Sequence, residues 1–267
     1  MDTLQSVASD FLSRILRDKQ AEVAANKAAI PQEALEERAR SAAAPLPVLS
    51  TLRGDRLRVI AEVKRASPSA GVFAAALDAA SQAARYASGG AAAISVLTDG
   101  PYFHGSLADL AEARQAVTVP LLRKDFIIDP YQLYEARASG ADLVLLIVAA
   151  LTASRLTALL ALTEDLGMCA LVEVYTADEA RLARALEAPL VGINNRNLRT
   201  FTVDMETTAR LRPLLSPRTV VASLSGIKNV EDARAMREAG ADVILVGEAL
   251  ARATNPDGLL AALASLP

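Results

Sequence analysis

Residues Leu121–Gln132 read LLRKDFIIDPYQ. Pro120-Leu121-Leu122 closes a short buried strand, and Arg123-Lys124-Asp125 places two cations and a carboxylate where that strand stops. Asp129-Pro130 then opens a helix, with Asp as N-cap and Pro at the first helical position. A strand that delivers a lysine to its own carboxyl end and passes at once into a helix is the working unit of a parallel α/β fold. Taken alone, the stretch reads equally well as a surface Lys-Asp pair at a turn. Recurrence of the pattern along the chain decides between the two.

Outward from this unit, short apolar runs alternate with helical patterns from Leu57 on. The expected strands are Arg58–Val63, Ala91–Leu97, Thr118–Leu122, Ala141–Ile147, Met168–Val174, Leu190–Ile193, Thr219–Ala222 and Asp242–Val246. Helix punctuation supports the alternation. Thr176 with Glu179 forms a capping box, Asn229 caps Val230–Glu238 with Gly240 placed to stop it, and Asn255-Pro256 repeats the cap-plus-Pro start. Gly90-Ala91-Ala92, Gly140-Ala141-Asp142 and Gly240-Ala241-Asp242 resemble one another, as expected if β-α units repeat. Eight such units in 267 residues predict an α/β fold of the closed (β/α)8 TIM barrel type. An open doubly wound sheet is the runner-up. Residues from about Thr3 to Leu49 predict a helical extension ahead of the barrel, with Leu4, Val7, Phe11, Ile15 and Leu16 at helical spacing and breaks at Pro31 and Pro45-Leu46-Pro47. One barrel domain over residues 1–267, with 1–49 as its extension, is the expected organisation.

Composition narrows the function. The chain is 52% apolar but only 4% aromatic, which suits closely packed helices around a sheet. A formal charge of −3 supplies no global basic field for nucleic acid. His104 is the only histidine and Cys169 the only cysteine, so His-based triads, multi-His metal sites and an internal disulfide are excluded. Cys169 lies in an apolar run and reads as a buried, inert thiol. The longest apolar run is too short to span a bilayer, and Met1-Asp2-Thr3-Leu4 lacks a signal peptide's basic start. The expectation is a soluble cytoplasmic monomer with no nucleic-acid or membrane partner.

The charged residues fall at strand ends: Glu62 and Lys64 after the first strand, Thr98-Asp99 after the second, Lys124 after the third and Glu173 after the fifth. Asn194, Asn195 and Arg196 end the sixth, Ser223 and Ser225 the seventh, and Gly247-Glu248 the eighth. In a (β/α)8 barrel all of these approach one rim, where active sites are built. Ser225-Gly226-Ile227 and Val246-Gly247-Glu248 put glycine just after a strand, where backbone N–H groups reach an anion; loops after the last two strands are this fold's usual phosphate grip. Lys64, Lys124 and Arg196, with Arg65 as a candidate fourth, supply cations; Glu62 and Glu173 supply carboxylates. Such crowding suits acid–base work without a metal. Ser67-Pro68-Ser69 offers hydroxyls on a rigid turn. Phe103 and Phe126 either form a flat wall for an aromatic ring or plug the barrel mouth.

Five stretches carry a resemblance. They are Ile60–Ser69 (IAEVKRASPS), Ser95–Asp99 (SVLTD), Leu122–Asp129 (LRKDFIID), Leu171–Val174 (LVEV) and Gly192–Leu198 (GINNRNL). In this order, and with the helical extension, they resemble indole-3-glycerol phosphate synthase. The resemblance implies that a carboxyphenylamino-deoxyribulose phosphate closes its ring, loses CO2 and then water, giving indole-3-glycerol phosphate for tryptophan biosynthesis. It makes Lys124 similar to the family's general acid and Glu173 to its general base, with Glu62 and Asn194 orienting these groups. Lys64 and Arg196 suit the substrate carboxylate; Ser225, Gly226 and Gly247 match phosphate-side positions. The expected catalytic set is Lys124, Glu173, Glu62, Lys64, Asn194 and Ser225. The expected substrate contacts are Ser67, Phe103, Phe126, Arg196, Gly226, Gly247 and Glu248. No metal or organic cofactor is expected; the expected partner is the phosphorylated small-molecule substrate.

The chain departs from the family pattern in three places. Leu224 stands where glutamate usually precedes Ser-Gly-Ile, and Ala70 where many members carry lysine. Pro45-Leu46-Pro47 replaces an Arg-Asp-Phe type sequence, and His104 falls where the pattern is relaxed and reads as a loop residue. Leu224 keeps open a second reading, a paralogue that binds a phosphorylated ligand with weak turnover or none. A phosphosugar isomerase such as phosphoribosylanthranilate isomerase is a third, disfavoured because it needs a Cys/Asp pair at the rim and lacks the long extension.

Overall fold

The computed structural model describes residues 11–68, 71–72 and 74–267. Leu4, Val7, Ser69 and Ala70 lie outside the described residues. Eight parallel strands close a barrel: β1 (Arg58–Val63), β2 (Ala93–Leu97), β3 (Leu121–Lys124), β4 (Leu143–Ile147), β5 (Cys169–Val174), β6 (Leu190–Asn194), β7 (Val220–Leu224) and β8 (Val243–Val246). Each pairs with its sequence neighbours, and β1 closes the ring against β8. Alternate side chains build two cores. Ile60, Leu122, Leu145, Leu171 and Leu245 fill the barrel, while Val59, Ile94, Val144, Val172 and Ile244 meet the surrounding helices.

The predicted strands hold, with shifts in their bounds that matter for the site. β3 begins at Leu121 and runs through Lys124, so the lysine is the strand's last residue rather than two residues beyond its end. Pro120 precedes the strand and contributes only its carbonyl, which accepts from Ile94 N at 2.9 Å. β7 likewise runs to Leu224. The similar starts at Gly90, Gly140 and Gly240 are one recurring turn: all three glycines have φ between 85° and 95°, the left-handed region that a helix-to-strand reversal needs. No local pattern predicts the short hairpin in the loop after β1, where Ala66–Ser67 pairs with Gly71–Val72.

The extension is three helices: α1 (Phe11–Ala29), α2 (Gln32–Ser41) and α3 (Val48–Leu52). Pro31 and Pro47 occupy the N-caps of α2 and α3, which is why the chain turns there. α1 lies at the carboxyl-end rim, where Leu12 and Ile15 join the core that fills the barrel. The chain then descends along the helix Pro130–Ala138, whose Tyr131 hydroxyl donates to the carbonyls of Asn26 and Ile30. Leu46 N donates to Asp142 just before β4 at 2.7 Å, and α3 adds Val48 and Leu52 to the barrel core. No helix among the described residues is long and apolar enough to cross a membrane.

Candidate active site

A cavity of about 120 Å³ opens at the carboxyl ends of the strands, lined by Glu62, Lys64, Lys124, Glu173 and Asn194. The strand register sets their heights. Glu62 pairs with Ser95, Lys124 with Leu97, Glu173 with Gly192, and Asn194 with Leu224. All five face inward because they share the alternation that fills the barrel below with Ile60, Leu122 and Leu171.

The two carboxylates are placed differently. Glu62 Oε1 lies 2.8 Å from Lys64 Nζ. Burial opposes ionisation of Glu62, but the charges of Lys64 and Lys124 outweigh it and hold its carboxyl below the usual range. Glu173 is pushed up instead, because burial exceeds the pull of Lys124 and of one hydrogen bond from Asn194 Nδ2 at 2.9 Å. Its other oxygen is buried and receives no hydrogen bond from the described residues. Asn194 is fixed in turn, its Oδ1 accepting from Arg196 N at 2.9 Å. Two carboxyl groups with opposite shifts flank one lysine, which divides proton-holding and charge-holding roles between them.

The glycine-bearing loops form the opposite wall. Ser225 and Gly226 have φ of 65° and 86°, two successive residues in the left-handed region, and both line the cavity. Asn195 Nδ2 donates to the Ser225 carbonyl at 3.1 Å and braces the turn. A Cβ on Gly226 would come within 2.4 Å of Met205 Sδ. One on Gly247 would come within 2.4 Å of Glu62 Oε1, so this glycine also makes room for the carboxylate. Glu248 turns its carboxylate to Arg252 at 3.2 Å.

Every residue expected at the site lines the cavity except Phe126. Phe126 is buried in the barrel core, its ring 6.3 Å from that of Phe103, so Phe103 alone presents a surface to the cavity and Phe126 backs it. Four rim residues read from strand ends turn into the wall. Thr98 donates to Asp125 at 2.6 Å, Asp99 meets Lys19 at 3.0 Å, and Asn195 bonds Ser223 at 3.0 Å. Arg65 is no fourth cation at the mouth, for its guanidinium grips Asp109 with two bonds of 2.7 Å. His104 ends a short helical turn at Gly100–Phe103 with φ of 56°, in keeping with a loop residue. Cys169 opens β5 at the far end of the barrel, and burial pushes its thiol up to about 12. Sequence reasoning missed Phe201 as a wall of the cavity and missed Lys19. Lys19 did carry a signal, a charged residue in phase with the apolar stripe of α1.

The sequence profile described as indole-3-glycerol phosphate synthase matches residues 12–263. The chain belongs to the indole-3-glycerol phosphate synthase family. A synthase of that name from Mycolicibacterium gilvum (strain PYR-GCK) is 49% identical over 254 residues, covering 95% of this chain and 93% of the relative. One from Mycobacteroides abscessus (strain ATCC 19977) is 48% identical over 250 residues, covering 94% and 92%. Among solved structures, a 3-hexulose-6-phosphate synthase aligns with TM-score 0.59 at 18% identity, over 79% of this chain and 98% of that one. A thiamine phosphate pyrophosphorylase from Pyrococcus furiosus aligns with TM-score 0.57 at 19% identity, over 78% and 93%; at such identities the likeness is one of fold. Against the indole-3-glycerol phosphate synthase pattern, Leu224 is the departure with a visible consequence. It is buried, and its Cδ1 lies 2.7 Å from where a Cβ on Gly192 would stand. This cavity wall is therefore apolar where the family usually places a carboxylate.

Proposed function

We propose that this member of the indole-3-glycerol phosphate synthase family is itself a synthase, a carboxy-lyase that acts on carboxyphenylamino-deoxyribulose phosphate. The ring carbon bearing the carboxylate attacks the ketose carbonyl, and Lys124 protonates the carbonyl oxygen as the carbon–carbon bond forms. CO2 leaves with its bonding electrons returned to the ring. The new hydroxyl then leaves as water, and Glu173 removes the proton whose loss completes the indole. Burial makes the Glu173 carboxylate a stronger base than one in water. Glu62 stays ionised and pairs with Lys64 at the mouth; Asn194 holds Glu173 in place. Lys64 and Arg196 meet the substrate carboxylate, Ser67 and Phe103 border the ring, and the backbone about Ser225, Gly226, Gly247 and Glu248 takes the phosphate.

The observation that supports this reading most is the placement of Lys124 between Glu62 and Glu173, whose carboxyl groups both respond to its charge. An isomerase resting on a Cys/Asp pair is disfavoured by Cys169, which lies at the other end of β5. Leu224 favours the second reading, a ligand-binding paralogue with weak turnover. Following indole fluorescence after adding the substrate separates the two: turnover that saturates with substrate supports the synthase, and tight binding without product supports the paralogue.

A further inference from the structure

α1 carries a lysine where its apolar stripe would take a leucine. The buried residues of the helix are Leu12, Ile15, Lys19 and Val23, all on one face. Lys19 is 1% exposed, and an ammonium so placed is costly unless it is closely paired. Its Nζ lies 2.9 Å from Asp125 Oδ1, 3.0 Å from Asp99 Oδ2 and 2.8 Å from Glu22 Oε2. Burial works against the charge, but Asp125 and Asp99 outweigh it and keep the amine protonated. Among the described residues Asp99 Oδ2 has no aligned hydrogen bond, so the Lys19 ammonium is its charge partner.

Both aspartates lead to the candidate site. Asp99 accepts from Tyr102 N at 2.9 Å and caps the helical turn that ends in Phe103. Asp125 follows Lys124 directly. It accepts from Thr98 Oγ1 at 2.6 Å, from Arg123 Nη2 at 3.1 Å and from Phe126 N at 2.8 Å. One ammonium from outside the barrel thus joins the end of β2, which leads to Phe103, to the end of β3, which carries Lys124 and Phe126.

We infer that Lys19 is a positioning residue: by clamping Asp99 to Asp125 it fixes Lys124 and the Phe103–Phe126 pair relative to each other. The effect on turnover rests on the synthase reading above; the clamp itself does not. Displacement of a reacting group by about 1 Å can cost roughly 100-fold in rate, so slackening of this joint should be visible in kcat. The competing account is that Lys19 only neutralises buried carboxylates.

The test compares Lys19→Met with Lys19→Met/Asp99→Asn. Asparagine still caps the turn, and the double variant removes the carboxylate that methionine would strand. Thermal midpoint, kcat and KM are measured, with assays run well below each midpoint. The acetylation of Lys124 relative to Lys64 by acetic anhydride is read by peptide mass spectrometry. Lys19→Met is expected to lower the midpoint, to lose about tenfold or more in kcat with a smaller change in KM, and to acetylate Lys124 severalfold faster. The double variant is expected to regain the midpoint without regaining kcat or the labelling ratio. Recovery of kcat together with the midpoint makes Lys19 a counter-charge only and overturns the inference, as does an unaltered kcat and labelling ratio in Lys19→Met. Should Lys19→Met not fold, the double variant carries both readouts. A wild-type protein without synthase turnover overturns the synthase reading, and the labelling ratio still decides the clamp.

Discussion

Leu224 pairs with Asn194 across β6 and β7, and Asn194 is the residue that holds Glu173. The apolar departure therefore stands one strand from the support of the proposed base. Leu224→Glu would place a carboxylate in the same cavity as Lys124 and Lys64, beside the Leu171 side chain. We expect kcat to rise by about tenfold or more as the proton-handling groups gain a charged partner. Ionising a carboxyl at so buried a position carries a desolvation cost, so the variant should be less stable than wild type at neutral pH. Steady-state kinetics and thermal unfolding across pH check both halves. An unchanged kcat would show that a seventh-strand carboxylate is dispensable in this chain.

Lys124→Ala should abolish most turnover and leave the barrel folded. The side chain ends β3, while the neighbouring Arg123 and Asp125 are the ones locked into the wall. Loss of a general acid lowers kcat by roughly 100- to 10,000-fold. Circular dichroism and a thermal midpoint near wild type would separate this from unfolding; near-normal kcat would remove Lys124 from the proposed mechanism.

The barrel was legible because its signals are local and repeat. Asp129-Pro130, Thr176 with Glu179, and Asn229 each cap the helix expected of them. Strand ends were less legible, since Lys124 and Leu224 extend β3 and β7 through residues whose polarity or loop-like setting argued for a stop. The site was legible through its inward-facing charges, but position at a strand end does not say which way a side chain turns. Thr98, Asn195 and Ser223 sit one step out of phase with the inward residues and bond within the wall. Arg65 turned away because Asp109, far along the chain, offers a bidentate partner, and no local pattern reveals such a partner. Lys19 escaped notice for the same reason, although its phase on α1 was visible.

Glu173 sets an expected acid limb. Burial raises its pKa, so kcat/KM should climb with pH through a transition above the ordinary carboxylate range, as the base becomes ionised. Glu173→Gln should remove that limb and lower kcat by about 100-fold or more. The stability sign is the reverse of the activity sign. A carboxyl with a raised folded-state pKa favours folding at low pH and loses that contribution as pH rises. At neutral pH the glutamine variant should therefore unfold no earlier than wild type. An acid limb that survives Glu173→Gln assigns the ionisation to another group.

Gly226 tests the phosphate wall. Its φ of 86° and the contact of 2.4 Å that a Cβ would make with Met205 Sδ both oppose a side chain. Gly226→Ala must shift the turn that Ser225 and Gly226 make together, at a cost of about 1–2 kcal/mol in stability. It should also spoil the N–H surface offered to the phosphate. Binding at the non-reacting end orients the reacting end, so kcat/KM for the phosphorylated substrate should fall. The same variant should lose little with the dephosphorylated analogue, which is a poor substrate of the wild type from the start. Inhibition by inorganic phosphate should weaken in parallel. If Gly226→Ala lowers kcat/KM equally for both substrates and leaves phosphate inhibition intact, the turn serves the fold and the phosphate is held elsewhere.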